Sequence, residues 1–488
     1  MTRQASSSVG REAVLILVAK VFSAVATVIL AIVLANHLGP ASFGRYRLAI
    51  TAAGIAALLA AQGLPAATGR YLVEAPDDLH RAAVLRQAGR AKLVISIVPA
   101  ILLAVLAVPI AEVLGKPDAW PLFLVAAVAV PPSDIGAWLS TAFQATRQAS
   151  ASLSIAVAKT VVELPAAVLL IAIGLGAVSG VIAYAAANAA ACIVGGYYLF
   201  AKWRRPPRGS TSGPSTRAML AFGRQVWFTD IAFLGFQTVD QIMLQAFRGT
   251  RSVGLYDVAW QLIAGLTLLS SAVAQAVAPR LADTDRRFAN ALFARSVGAL
   301  TALYAAIAVL TGILAGRLVG VLFEASFATS GRILAALTPY LLLLGAAPLV
   351  STGLNFLGIA HARRRIALIA LAINAVLDVV LIKWLGVIGP TIGTGVAFAY
   401  YLLAHCLLYR RTDITVPWRS FAVSAVRGSL AGLLGAAVAL VWLSGFDSPE
   451  AGAVLTGAVL GGAGATVGLV ALGEWDLGLW RLLREHGV

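Results

Sequence analysis

Leu38-Gly39-Pro40-Ala41-Ser42-Phe43-Gly44-Arg45-Tyr46 follows one long apolar run, and Arg248-Gly249-Thr250-Arg251-Ser252-Val253-Gly254-Leu255-Tyr256 follows another. Gly39/Gly249, Ser42/Ser252, Gly44/Gly254, Tyr46/Tyr256 and Ala49/Ala259 match at an offset of 210 residues. The same offset pairs Arg70 with Arg280, Leu175-Gly176 with Leu385-Gly386, and Ile182 with Ile392. A single register held over most of six apolar spans, in a chain rich in Ala and Leu, marks an internal duplication. The glycines suit short turns that need positive φ or close backbone approach. They are expected to let Tyr46 and Tyr256 reach the outer membrane interface, where aromatic rings favour the headgroup level.

The rest of the chain says what is duplicated. Of 488 residues, 60% are hydrophobic and 12% charged, against about 45–50% and about 25% in soluble domains. Thirty-seven basic and 21 acidic side chains cannot cover the two or more domains that a soluble chain of this length would form. The composition therefore indicates a polytopic membrane protein and excludes secreted, disordered, collagen-like and ordinary cytosolic classes. A span needs roughly 20 mainly apolar residues. Fourteen stretches satisfy that, at about 13–37, 47–73, 93–115, 120–146, 152–174, 178–201, 221–247, 254–278, 294–323, 331–357, 366–385, 388–409, 421–445 and 451–472. The first contains Lys20 and has no small-residue cleavage site after it, so it reads as a retained span.

Loop charge orients the spans. With both termini in the cytoplasm, 28 of the 37 basic residues fall on inside segments and 8 on outside ones, with Lys20 inside a span. Arg45, Arg47 and Lys116 count among the outside residues, and Lys92 among the inside ones. This is the positive-inside bias, and it accounts for the net charge of +16 without nucleic acid. Six spans is an even number, so the two copies enter the membrane in the same sense, as a parallel repeat about an axis along the membrane normal. The expected organisation is an N-lobe at 1–201, a cytoplasmic linker at 202–220, a C-lobe at 221–411, two extra spans at 412–473, and an interfacial amphipathic tail at 474–488. Two similar lobes around an axial cavity are the geometry of alternating access.

Leu38-Gly39-Pro40…Phe43-Gly44-Arg45-Tyr46, Gly63-Leu64-Pro65…Arg70-Tyr71, Asp240-Gln241…Gly254-Leu255-Tyr256, Pro279-Arg280-Leu281 and Asn374…Leu377-Asp378 then Leu385-Gly386 resemble the polysaccharide-export and O-antigen-type flippases. These belong to the superfamily of multidrug and toxin extruders, oligosaccharidyl-lipid flippases and the lipid II flippase. The resemblance covers nearly the whole chain. It implies an all-α extruder-like fold, and movement of an undecaprenyl-pyrophosphate-linked oligosaccharide from the inner to the outer leaflet of a bacterial cytoplasmic membrane. Its implied partners are the polyprenyl-pyrophosphate-linked glycan, membrane lipids and a polysaccharide polymerase or export machinery.

Ionisable residues within spans are costly and mark candidate sites. Lys20, about 10 Å into span 1 at about 1.5 Å per residue, has Asp230 in span 7 as its repeat partner. The pair can hold the substrate pyrophosphate, or Lys20 can snorkel to the interface. Arg224 is a substrate contact or an interfacial anchor, and Arg70 and Arg280 form a basic vestibule or anchor the inner span ends. Asp240, near the outer end of span 7, is a gate or a helix-end residue. Lys159 and Glu163 stand i, i+4 and either neutralise each other or leave Glu163 to couple transport. Asn374 and Asp378 repeat that spacing, as an interhelical polar contact or a coupling site. Coupling to a proton gradient, a sodium gradient or the membrane potential is expected, with no other cofactor and no metal site.

Cys192, Cys406 and five scattered histidines show no ligand spacing, and no G-x-x-x-x-G-K-[ST] is present. Gly457/Gly461 and Gly464/Gly468 have the G-x-x-x-G spacing of close helix packing. Two competing transport readings are a lipid II flippase and a cation-coupled drug antiporter. The antiporter calls for acids in the N-lobe, yet span 1 has Lys20 and no acid after Glu12. A membrane glycan polymerase or ligase would need a large external loop, and only short ones are expected here.

Overall fold

The computed structural model describes residues 2–203, 213–282, 285–446 and 450–474. Eighteen α-helices and no strand occur among them. Unbroken apolar sequence in a bilayer leaves the backbone no partner but itself, and helices satisfy every N–H and C=O within the segment. In order they are α1 (Thr2–Ala61), α2 (Leu64–Glu74), α3 (Asp78–Val105), α4 (Ala107–Val113), α5 (Trp120–Ala145), α6 (Ala149–Ala172), α7 (Ala177–Trp203), α8 (Thr216–Arg248) and α9 (Thr250–Ala264). Then come α10 (Thr267–Val277), α11 (Arg286–Leu322), α12 (Ala328–Ala336), α13 (Thr338–Leu344), α14 (Ala347–Phe356), α15 (Ala360–Leu385), α16 (Gly389–Leu408), α17 (Trp418–Ser444) and α18 (Ala451–Ala471).

Ten helical segments among the described residues are long and apolar enough to cross a membrane, or eleven if one bent pair is a single span. That is fewer than the fourteen stretches read from sequence, because continuous segments carry more than one of them. Val21–Ala61 holds the first two, broken where Gly39 takes φ 69°, and Ala362–Arg411 holds the eleventh and twelfth, broken at Gly386 with φ 63°. The eighth is the bent pair Thr250–Ala264 and Thr267–Ala282, and the seventh falls on α8, which is not one of the ten.

The chain forms two compact units. Unit 1 comprises Met1–Thr238 with Gly249–Gly254, and unit 2 comprises Val239–Arg248 with Leu255–Val488. In unit 1, α1, α5, α6 and α7 pack together, and Leu64, Leu85, Trp138, Leu139, Phe143 and Met219 form a buried cluster. α8 is fastened to α1 where Trp227 Nε1 donates to Leu58 O at 2.7 Å. In unit 2, α11, α17 and α18 pack on one another through small residues. A Cβ on Gly428 would lie 2.1 Å from Ala302 O, and one on Gly435 would lie 2.3 Å from Gly461 O. The G-x-x-x-G stripe of α18 therefore serves close helix contact.

The duplication is visible in the backbone. Gly39 (φ 69°) and Gly249 (φ 79°) share the left-handed region, as do Gly176 (φ 53°) and Gly386 (φ 63°), both pairs at the 210 offset. Inside unit 1, the segment Gly249–Gly254 crosses the segment Pro40–Gly44. A Cβ on Gly44 would stand 1.9 Å from Thr250 O, and a Cβ on Gly254 2.0 Å from Pro40 O. The contacts 44–250 and 254–40 exchange under the offset, so the crossing is symmetric. It also corrects the expectation for the neighbouring tyrosines. Gly44 and Gly254 are crossing points within helices, and Tyr46 and Tyr256 are 4% and 2% exposed, enclosed by protein instead of presented to headgroups. The Tyr46 ring packs on Gly180, where a Cβ would lie 2.7 Å away, and the Tyr256 hydroxyl turns to Asp240.

Candidate functional site

Unit 2 contains a buried acidic cluster. Asp240 on α8 is 2% exposed, and Asn374 and Asp378 on α15 and Thr394 on α16 are fully buried. Asp240 Oδ1 accepts from Asn374 Nδ2 at 2.7 Å, and Oδ2 accepts from Thr394 Oγ1 at 2.7 Å and from the Tyr256 hydroxyl. All three donors are neutral. Asp378 stands beside Asp240. Neither Asp378 oxygen, nor Asn374 Oδ1, meets a donor among the described residues. Gly393 makes the room: a Cβ there would lie 2.6 Å from Asp378 Oδ1 and 3.4 Å from Asn374 Oδ1.

Two adjacent buried carboxyls with three orphaned oxygens demand positive charge, because an unpaired buried acceptor or anion is expensive. A proton or a small hard cation fits the all-oxygen donor set. No group of three or more His, Cys, Asp or Glu able to hold a metal ion occurs among the described residues. Next to this cluster, Asp257 is fully buried and accepts from Gln241 Nε2 at 2.9 Å and Gln261 Nε2 at 3.4 Å. The sequence reading picked out Asp240, Asn374 and Asp378 but not Tyr256 or Thr394 as their partners, nor Asp257. Asp257 follows the repeated Tyr256 and has Gln261 one turn on, which is the signal that could have found it. Asp240, read from sequence as a gate or a helix-end residue, is the hub of this cluster.

Unit 1 carries the opposite bias. The charges of Lys159 and Arg47 both bear on Glu163, which is partly buried on α6. Lys159 and Glu163 form no ion pair, and Lys159 Nζ sits 5.1 Å from the centre of the Tyr184 ring. Arg47, assigned by the loop-charge count to an outside segment, lies within α1 past the Gly39 break, so the cluster holds two cations and one acid. Deeper in unit 1, Lys92 Nζ meets Asp134 Oδ1 at 2.5 Å with side chains 1% and 3% exposed. Lys92 was counted as a loop residue. It lies inside α3 because Asp77 caps that helix fifteen residues earlier, accepting from His80 N–H. A buried Lys in a helix this long needs a buried acid, and Asp134 after Pro131-Pro132 supplies it.

The side chain of Lys20 on α1 lies outside the described residues, and Arg224 and Asp230 are exposed on α8. Arg70 on α2 pairs with Glu74 at 2.7 Å and lies 4.5 Å from the centre of the Phe222 ring in the same unit. Arg280 is half-buried in the turn Ala278–Ala282 of unit 2. The linker from residue 204 to 212 and the tail beyond Glu474 lie outside the described residues.

Residues 9–285 match the sequence profile described as polysaccharide biosynthesis protein. The chain belongs to the polysaccharide biosynthesis protein family. Two curated relatives come from Haloferax volcanii. The probable flippase AglR is 28% identical over 188 residues, 36% of this chain and 38% of AglR. The probable low-salt glycan biosynthesis flippase Agl15 is 21% identical over 197 residues, 39% of this chain and 41% of its own length. The matches therefore span about two fifths of either relative. Among solved structures, a lipid II flippase MurJ in an inward closed conformation aligns with a TM-score of 0.75 at 14% identity, covering 94% of this chain and 98% of its own. An inward-facing multidrug resistance MATE family transporter aligns with a TM-score of 0.65, also at 14% identity, over 82% and 98%. The fold of this family member is thus the extruder-like fold, and the chain is a multi-pass membrane protein.

Proposed function

We propose that this protein flips a polyprenyl-pyrophosphate-linked oligosaccharide across the cytoplasmic membrane by alternating access, for surface or extracellular polysaccharide assembly. The observation that carries the reading is the family match over residues 9–285, and in unit 1 Lys159 and Arg47 act on Glu163 as a mainly basic group. An anionic pyrophosphate is received by such a group, and an organic cation is repelled. Family membership and the flippase names of the Haloferax relatives point the same way. Lys20, Arg224, Asp230, Arg70 and Arg280 are the further substrate contacts we propose. Asp240 and Asp378 take up the coupling proton or sodium ion, and Glu163 responds to substrate charge. The protein acts as a transporter without chemistry of its own, with both termini cytoplasmic, beside the polymerase or export machinery that consumes its product.

Depletion of the protein, followed by extraction and mass sizing of polyprenyl-linked glycans, tests this. Accumulation of a complete, cytoplasm-facing repeat unit that wild type clears and Lys20→Ala or Arg47→Ala does not supports both function and site. Accumulation of lipid II instead assigns the protein to the peptidoglycan precursor. Sensitivity to cationic dyes without any accumulation overturns the proposal in favour of drug efflux.

A further inference from the structure

A cavity of about 660 Å³ lies wholly within unit 2, between α10, α11, α17 and the end of α18. It shares no residue with the acidic cluster. Leu269, Val273, Leu300, Leu303, Val423 and Leu469 make its walls, and Arg295, Arg419 and Arg427 stand around it with Glu474. Glu474 is already engaged: it accepts from Ser424 Oγ at 2.8 Å and pairs with Arg427 at 3.3 Å. Arg295 and Arg419 have no partner among the described residues. Ser296 lines the same cavity, is 1% exposed, and its hydroxyl finds no hydrogen-bond partner among the described residues. Two open guanidiniums, a buried unpaired hydroxyl and an apolar chamber of ordinary ligand size, within about 300–1,000 Å³, define an amphipathic anion with an apolar tail.

We propose that this cavity binds an anionic phospholipid, with its phosphate on Arg295 and Arg419 and an acyl chain between the apolar walls. Guanidinium forks match phosphate oxygens bidentately, and basic pockets between spans on the cytoplasmic side take anionic headgroups. All three arginines come from segments that the positive-inside bias assigns to that side. Both free ones are exposed, open to a headgroup. A transported headgroup needs cations within the spans instead, as at Arg47 and Lys159. The site is therefore separate from the cargo path, and its test does not depend on transport.

The full chain in neutral detergent is titrated by native mass spectrometry with phosphatidylglycerol, phosphatidylcholine, polyprenyl monophosphate and inorganic phosphate. Phosphatidylglycerol is expected to bind, and the double variant Arg295→Gln/Arg419→Gln to bind it about twenty-five-fold more weakly, from roughly a factor of five per arginine. Phosphatidylcholine should bind wild type no better than phosphatidylglycerol binds the double variant, and Arg364→Gln, at an exposed position of α15 outside the cavity lining, should leave affinity unchanged. Val423→Trp, which fills the chamber and keeps every charge, should also lower binding, and serves if the double variant fails to fold. Undiminished phosphatidylglycerol binding in the double variant or in Val423→Trp overturns the proposal, as does equal binding of phosphatidylcholine. Displacement of phosphatidylglycerol by less polyprenyl monophosphate overturns it by giving the cavity to the carrier lipid. Equally tight inorganic phosphate overturns it by removing the lipid.

Discussion

The buried and half-buried charges described in unit 1 are balanced or positive, whereas the buried cluster of unit 2 is negative. Lys92 has Asp134 and is silent, and Arg47 and Lys159 exceed Glu163. Asp240 and Asp378 face each other with neutral donors only. A paired ion inside a membrane protein is architecture, and an unpaired one is a standing demand for a mobile counter-charge. The duplicated lobes share a backbone plan but carry different buried groups: the paired Lys92 and Asp134 in one, the two carboxyls of Asp240 and Asp378 in the other.

The sharpest way to break that comparison is to unpair the silent pair. Lys92→Met or Asp134→Leu alone should destabilise unit 1 by about 3–5 kcal/mol, because the remaining charge is left buried. The double replacement should restore most of this, as read by thermal melting in detergent. If both single variants melt like wild type, the pair is not architecture.

Asp378→Asn probes the opposite case. An amide supplies donors where oxygens are orphaned, so melting should hold or rise while flipping and its dependence on sodium or proton gradient fall at least tenfold, about 1.4 kcal/mol. A stability loss with unchanged gradient dependence would make the acidic cluster structural. The symmetric crossing is next: Gly44→Ala and Gly254→Ala should each cost about 1–3 kcal/mol by overpacking, and by similar amounts. A strongly unequal cost would show that the duplication is not energetically symmetric.

Arg47→Gln should weaken uptake of a pyrophosphate-headed lipid several-fold, and Glu163→Gln should strengthen it, measured by binding in nanodiscs. Effects of the same sign would remove the electrostatic reading. The smallest expected effect is at Asp77. Hydrogen bonds from the backbone N–H and ring of His80 hold its carboxyl below the ordinary carboxylate value. Its contribution to the start of α3 is therefore present above the unfolded-state value and lost as the pH falls through the lowered one. Asp77→Asn should flatten the acid limb of a melting-temperature profile slightly.

The membrane class, the duplication and most helix positions were legible in the chain, because apolar length and a fixed 210 offset are one-dimensional properties. Asp240 and Asp378 were legible as intramembrane acids for the same reason. Lys92 and Arg47 were not, because loop counting depends on span ends, and helices α1 and α3 run past the ends that hydropathy draws. Nor could periodicity separate a turn glycine such as Gly39 from a crossing glycine such as Gly44, whose need for no side chain arises from Thr250 on a distant segment. Sequence alone therefore determined that this is a duplicated, Arg-biased bundle of membrane helices. Which charges are paired, orphaned or turned toward a lipid cavity was decided only by tertiary packing, since burial and partnership depend on groups 40 to more than 150 residues apart.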